Sequence, residues 1–560
     1  MSEELESDIG LTNLARPSTS PPTRPAVHIR SLSNGLKSPS TPELSPKSPP
    51  RLSRRNTNPR KMSVPAHDAD LALETMESDM VVNMRRWICG MAVVDFDLDI
   101  GPKIICVYPA LDLSPAEEEN IAFSSFPDSP QFEQGSQAHS FRIRVRNSTE
   151  DKLLPRSEQR PHTEDGFLYG FSHFTQRRDT TSKRGYQQRS IVILTHFAYP
   201  TLFYTLLTKL GPAFIAHGGP MLEAACHNIA HWPEPNVGTT LELGFLGTVF
   251  LVDLPIDINT QQAPPSASVV AKIKSYDPRY HILASLAPPD PPALSLFEAC
   301  IPHLWSIWEC LVLCEPILIY APSPAMTSQA VWWLRDVLRP IPVAGDFRPF
   351  FTIHDTDHTA LVNPRPPSAG LVLGVTNPYF ARACRHWPHI LSLGKPSVTK
   401  SVQHGNPAPP PGWKTQTHKR YISRDRALLQ ALQDACSGSE RAMHDASALL
   451  RQHFSQRTAA LLVPLQRYLQ SLIPAPLQLG PSLEETFPQS LATPAQTPRL
   501  APFSERAFLE TLKPLALPFK SSSKAREFYV RWIRTPSFGV WLARQEEAVD
   551  RVLGAGAFQQ

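Results

Sequence analysis

Proline partitions this chain more firmly than any other feature. Its φ is fixed and it lacks an N–H, so it is costly inside a helix or a central strand. The sequence carries 59 prolines in 560 residues, about twice the usual share, and they cluster. Residues 11–60 contain 24 Ser, Thr or Pro out of 50. No apolar periodicity rises above that background, and such a segment cannot offset the entropy of folding. Weaker Pro-rich runs follow at 259–292 and 402–418, and seven prolines fall within 474–502. These breaks predict a disordered Ser/Pro-rich tail at 1–85, a first folded part at 86–255, a linker at 256–293, a second part at 294–401, a linker at 402–419 and a third part at 420–560.

The three parts differ in periodicity. In the first, Val94, Phe96, Leu98 and Ile100 alternate with Asp95, Asp97 and Asp99, which predicts a strand with one apolar face. Gly101-Pro102 and the run Ile104–Tyr108 complete a hairpin. Further strands are predicted at 141–145, 168–175, 188–195 and within 241–254, with helices at 114–122, 201–216 and 221–231. Strands followed by helices indicate an α+β domain. In the second part, one helix is predicted over Leu294–Leu313. Continuous apolar strands at 316–321, 350–353, 370–376 and 390–393 then alternate with helices at 328–338 and 381–386. That is the pattern of a mostly parallel α/β sheet covered on both faces. The third part is helical, with one helix at 425–435, a long stretch at 440–472 that Pro464 should end or kink, and three more at 504–515, 523–534 and 537–553.

Charge excludes several classes. Lys plus Arg number 55 and Asp plus Glu 51, a net +4. Residues 1–61 alone sum to +5, so the remainder is nearly neutral and offers no nucleic-acid surface. No run of 18 apolar residues exists, so no spanning helix is expected. The eight cysteines form no C-x-x-C pair and sit mostly in apolar runs, as reduced buried thiols do. In the tail, Ser38, Thr41, Ser45 and Ser48 each precede a proline. They are candidate phosphorylation sites, and their basic surroundings suit a phospho-dependent partner or an acidic membrane.

Catalytic and metal motifs are missing. There is no G-x-x-x-x-G-K-[ST] phosphate loop and no G-x-S-x-G elbow. Glu223, His227 and His231 share a helix face by their spacing of four, but the order is not H-E-x-x-H. A partly buried helix near Trp232-Pro233 accounts for them equally well. His354, Asp355, Asp357 and His358 cluster at a strand end, where Asp and His are ordinary turn residues. No cofactor is called for.

The ordered landmarks nevertheless resemble a known family. Asp95-Phe-Asp-Leu-Asp-Ile-Gly-Pro-Lys-Ile-Ile-Cys-Val-Tyr-Pro109, Phe123-Ser-Ser-Phe-Pro-Asp-Ser129 and Phe171-Ser-His-Phe-Thr-Gln-Arg-Arg178 resemble the opening of a DENN-domain protein. Leu222-Glu-Ala-Ala-Cys-His-Asn-Ile-Ala-His-Trp-Pro233, Gly345-Asp-Phe-Arg-Pro-Phe-Phe-Thr-Ile-His-Asp355, Gly374-Val-Thr-Asn-Pro-Tyr-Phe380 and His386-Trp-Pro-His-Ile390 are similar to the sixth DENN subfamily. Tyr421-Ile-Ser-Arg-Asp425, Pro464-Leu-Gln-Arg-Tyr468 and Arg534-Thr-Pro-Ser-Phe538 continue the series. The likeness runs from about Trp87 to Leu553.

The resemblance implies a tripartite module: a longin-like part, a central α/β part and a helical part. It also implies guanine-nucleotide exchange on an endosomal Rab GTPase, in the cytoplasm with peripheral recruitment to endosomes. The alternative is a non-catalytic Rab effector or scaffold. A GTPase-activating reading would draw on Arg178, Arg184 or Arg348. For exchange, the expected GTPase contacts are polar residues at strand ends of both modules: Asp95, Asp97, Asp99, Arg348, Asp355 and Asn377.

Overall fold

Alternating burial of apolar side chains on both faces of Met91–Val94 fixes the first sheet. The computed structural model describes residues 71, 73–128, 134–145, 155, 157, 159–180, 185–257, 259, 278–395, 409–473, 501–512 and 517–557. Helix α1 (Ser78–Arg85) leads into β1 (Gly90–Asp97) and β2 (Gly101–Tyr108), then α2 (Pro115–Ser124), β3 (Gly135–Arg144), β4 (Phe167–Arg178) and β5 (Tyr186–Thr195). The strands form one antiparallel sheet in the order β2-β1-β5-β4-β3. Met91 and Val93 face one core; Ala92 and Val94 face another. Helices α3 (Pro200–His217) and α4 (Gly219–Ala230) cover the first face, and α2 covers the second. Ser114 and Glu117 close α2 with a reciprocal capping box, and Pro115 occupies its first turn, as the sequence predicts.

The boundary at Arg86 is drawn one helix too late. Met76, Val81 and Met84 are buried, so α1 belongs to the folded part. Averaged over the polar tail, this short apolar stripe disappears from composition. The β1 alternation also ends early. The strand stops at Asp97, and Leu98 and Ile100 lie exposed in the turn instead of continuing the inner face.

Strands β6 (Thr240–Phe245) and β7 (Thr248–Asp253) form a hairpin, to which β8 (His281–Leu283) adds in parallel. Its two turn residues, Leu246 and Gly247, both have positive φ, which matches the twist of a tight hairpin. Strand β8 lies within the stretch expected to be linker.

The expected helix 294–313 is divided into α5 (Ala293–Phe297), a 3₁₀ segment Glu298–His303 and α6 (Leu304–Val312). Pro302 lies in the 3₁₀ segment, where its missing N–H costs less than in an α-helix. The central sheet follows: β9 (Ile317–Tyr320), α7 (Pro324–Asp336), β10 (Phe347–Arg348), α8 (His358–Leu361), β11 (Val372–Val375), α9 (Tyr379–Ala383), β12 (His389–Ser392) and β13 (Gly412–Thr415). Its order is β10-β11-β9-β12-β13, parallel except for the last pair. The strand predicted at 350–353 is instead Phe347–Arg348, and β13 lies inside the expected 402–419 linker.

Helix α10 (Arg426–Cys436) precedes α11 (Glu440–Leu472), then α12 (Glu505–Glu510), α13 (Ser522–Ile533) and α14 (Pro536–Ala557). Helix α11 runs through Pro464 without ending. An interior proline costs ~3 kcal/mol. Burial of Leu461, Leu462, Leu465 and Leu469, each worth about 1.5–3 kcal/mol, outweighs it. The long helix docks on α6, where the Trp308 indole donates to Thr458 Oγ1 at 3.0 Å. Among the described residues, no helix is long and apolar enough to cross a membrane.

Candidate functional site

Two corners collect the residues singled out in the sequence. The first is the β1–β2 hairpin on the outer edge of the upstream sheet. Asp97 Oδ1 accepts the backbone N–H groups of Asp99 at 2.8 Å and Ile100 at 3.2 Å. Those bonds hold its carboxyl below the usual range. The turn pushes Leu98 and Ile100 outward; they are 50% and 61% exposed, and Ile105 on β2 is 41% exposed. Asp95, directly opposite Arg189 on β5, takes both Nε and Nη2 of that arginine at 2.6 Å. At the turn end of the hairpin, Phe123 of α2 lies under Gly101 and stacks on His354 at 3.7 Å. The hairpin, α2 and the segment before α8 thus meet at one corner.

The second corner is internal. Arg348 is wholly buried. Beside it, Gly374 lets the Pro349 carbonyl approach β11, because a Cβ there would come within 2.3 Å of that oxygen. The Arg348 guanidinium donates to Asp346 Oδ1 at 2.7 Å and Oδ2 at 3.0 Å, and also reaches Asp357 and, at 3.5 Å, Asp355. Arg142 on β3 reaches Asp346 at 3.2 Å, and Arg144 reaches Asp357 at 3.0 Å. The Phe167 ring lies beneath both Arg142 and Arg348, 3.7 and 4.7 Å from the centroid. Burial alone disfavours the Arg348 charge, but Asp346 and Asp355 more than offset it and raise its pKa. Burial would likewise raise Asp346; Arg142 and Arg348 together hold it low. Asp355 is raised, chiefly by burial. Nearby, Trp332 of α7 donates to Ser140 Oγ at 2.8 Å. This network joins the upstream and central sheets.

The surface reading of Arg348 and Asp355 is therefore corrected: both are interior groups. Three arginines on two separate sheets converge there, a pairing no local spacing reveals. Asn377 is half-buried and accepts the Tyr379 N–H at 3.0 Å, so it starts α9. Glu223, His227 and His231 form no common site: each histidine Nδ1 bonds the carbonyl four residues back, at 2.9 and 2.7 Å. The cluster at 354–358 is also divided, since His354 stacks on Phe123 and His358 on Phe351. Arg178 is exposed at the end of β4; Arg184 and the candidate phosphosites Ser38, Thr41, Ser45 and Ser48 lie outside the described residues.

Sequence reasoning missed one buried group. Cys310 on α6, Glu315 and His389 on β12 bring ligand atoms within 4.8 Å of one another. His389 also meets Thr415 Oγ1 at 3.0 Å, and Arg531 donates to Glu315 at 2.6 Å. The His389 and Glu315 side chains hydrogen-bond directly, and the Arg531–Glu315 ion pair ties α13 to the segment that leads into the central sheet. Burial raises the Cys310 thiol well above its usual value and pushes Cys89 up to about 12. Thiols held protonated in this way are poor nucleophiles.

An antiparallel sheet, a mostly parallel sheet flanked by helices, and a helical C-terminal region in one chain define a multidomain α/β and α+β protein of DENN-like architecture. No family model matches the chain. It is, however, 31% identical over 495 residues to Protein DENND6B of Homo sapiens, covering 84% of this chain and 80% of that protein. It is 30% identical over 495 residues to Protein DENND6A of Mus musculus, covering 84% and 78%. A DENND6 homolog of Dictyostelium discoideum is 27% identical over 541 residues, covering 82% and 70%. The chain belongs to the DENND6 family of DENN-domain proteins.

Proposed function

We propose that this protein is a guanine-nucleotide exchange factor for an endosomal Rab GTPase. In this reading the part up to residue 255, now including α1, is the longin-like domain. The central sheet is the second DENN module, and the C-terminal helices are the third. The observation that carries the reading, given DENND6 membership, is the hairpin corner. Exposed Leu98, Ile100 and Ile105 stand beside exposed Asp97 and Asp99, next to a seam where two sheets meet. Apolar anchors ringed by charge suit a protein partner.

Exchange needs no covalent step. A factor that binds the empty GTPase more tightly than the loaded one weakens nucleotide binding by the same factor, through linkage. The apolar hairpin tip would seat against a switch region, while Asp97 and Asp99 would repel nucleotide phosphates and attract switch-loop cations. Asp95 acts through Arg189 by fixing the strand. Arg348 and Asp355 act as positioning residues, because their network holds the central segment that carries His354 against β3. Asn377 does the same for the start of α9. The protein would work in the cytoplasm and reach endosomes peripherally, with the basic tail as a phospho-regulated contact.

The test is release of a fluorescent GDP analogue from a panel of Rabs under excess unlabelled nucleotide, with EDTA as positive control. Acceleration for one or a few endosomal Rabs is expected, and Leu98→Ser/Ile100→Ser should abolish most of it. Tight binding that prefers the GTP-loaded form, without acceleration, would establish an effector or scaffold instead.

A further inference from the structure

A cavity lies away from the hairpin tip, on the opposite face of the upstream sheet from α2. It encloses about 270 Å³ between β4, β5 and the end of α3. The strand register builds it. His173, Thr175 and Arg177 project from one face of β4, opposite Ile191, Arg189 and Gln187 of β5. Helix α3 covers this face further in but ends at His217, leaving the outer part of the face open.

Its chemistry is uneven. On the sheet side stand two guanidiniums from neighbouring strands. Arg189 is steadied by Asp95. Arg177 is exposed, and its Nη2 reaches Gln187 Oε1 at 3.4 Å. The His173 ring is pressed on Gly211, where a Cβ would come within 2.5 Å of it. Its Nε2 is buried without a hydrogen-bond partner among the described residues. A buried polar nitrogen left unpaired in this way calls for a ligand or an ordered water. On the opposite wall stands the end of α3, including His217, and a helix C-terminus carries partial negative charge and unused carbonyls.

Paired guanidiniums match phosphate oxygens, but the helix end disfavours a ligand that is anionic throughout. Carbonyls at that wall suit hydroxyl donors. We propose that this pocket binds a phosphorylated polyol of the inositol phosphate class, with a phosphate on Arg177 and Arg189 and ring hydroxyls toward the end of α3. The same headgroup could be free or carried by a membrane lipid. Because Asp95 already holds Arg189, the ligand competes with that carboxylate.

Calorimetric titration of full-length protein with soluble inositol trisphosphate, and separately with inorganic phosphate, tests the site. The inositol phosphate should bind, and inorganic phosphate alone should bind at least tenfold more weakly. Arg177→Gln should weaken binding roughly tenfold, the worth of one charge-assisted contact. Asp95→Asn should tighten it several-fold by removing the carboxylate charge that competes for Arg189. Thermal melts of both variants check that the fold is kept. Flotation with phosphatidylcholine vesicles containing a phosphoinositide, against charge-matched phosphatidylserine vesicles, identifies the source. Arg177-dependent preference for the phosphoinositide supports a lipid headgroup; binding only in solution supports a free inositol phosphate. Absence of inositol phosphate binding, equal binding by Arg177→Gln, or phosphate alone matching the inositol phosphate would overturn the proposal.

Discussion

Asp97 and Asp99 in the β1–β2 hairpin, and Asp355 and Asp357 before α8, look alike locally. In each pair, two aspartates sit two residues apart in a turn, and the first accepts a nearby backbone N–H. Their surroundings are opposite. The hairpin pair projects from the turn between β1 and the edge strand β2. The second pair lies against Arg348, with Arg144 arriving from β3. Burying a carboxylate is costly unless it is paired, and the fold supplies those pairs only at the second place. One pair therefore fixes how two sheets meet, while the other stays available to a partner.

The sharpest way to break this contrast is to remove the shared cation. Arg348→Ala leaves Asp346, Asp355 and Asp357 without their central partner. We expect a loss of about 3–5 kcal/mol in denaturant unfolding, the usual result of breaking a buried pair from one side. Arg348→Lys should lose less, but not recover fully, because an ammonium cannot grip Asp346 with two parallel bonds. An Arg348→Ala variant as stable as the parent would mean that the network does not hold the sheets.

Substitutions at the hairpin should do the reverse. Leu98→Ser/Ile100→Ser removes exposed apolar surface, so its melting temperature should stay within about 2 °C of the parent. Stimulated GDP release should fall tenfold or more, as expected for apolar anchors at an interface. A large drop in stability with unchanged exchange would exchange the roles of the two corners.

This contrast also explains what the sequence could reveal. The β1–β2 hairpin, α2 with its capping box, and the parallel sheet around Ile317–Tyr320 were legible because periodicity and caps are local signals. Asp97 and Asp99 were legible as surface groups for the same reason. Arg348 was not. Asp346 lies only two residues from it, but Arg142 and Arg144 reach the same carboxylates from β3 of the other sheet, and only tertiary packing brings them together. The Cys310, Glu315 and His389 cluster escaped notice on the same grounds. Helix α1 was hidden because four apolar residues were averaged with a polar tail, and α11 crossed Pro464 because burial outweighed a local breaker.

Acid offers a graded version of the comparison. His139 on β3 lies within the seam, 5.4 Å from Phe350, with Nε2 at 2.8 Å from the Ser124 carbonyl. Burial lowers its pKa to about 4, so the folded state keeps it neutral while the unfolded chain protonates near 6.5. Its contribution is complete above pH 6.5 and is lost as pH falls toward 4, at up to about 1.4 kcal/mol per pH unit. Asp346, held low by its arginines despite burial, adds a second loss only below about pH 4. Denaturant unfolding at pH 7, 6 and 5 should show the first slope, and His139→Gln should reduce it in part, since burial also lowers His196 and His453 to about 4. An unchanged slope in that variant would place the acid sensitivity elsewhere.

The smallest effect separates charge from shape at the hairpin itself. Asp97 does two things: it carries a negative charge, and its Oδ1 holds the N–H groups of Asp99 and Ile100. Asp97→Asn keeps an acceptor oxygen and removes the charge, whereas Asp97→Ala removes both. The side chain is exposed, so both variants should melt within about 2 °C of the parent. If electrostatic complementarity drives GTPase association, both should slow exchange equally, and the loss should shrink as salt rises, because screening already removes the charge term. If the turn geometry matters more, Asp97→Asn should keep parental exchange while Asp97→Ala loses several-fold at every ionic strength, since Leu98 and Ile100 are then no longer held in position. Full parental activity in both variants would remove Asp97 from the contact and leave the apolar tip as the part of the hairpin that a partner grips.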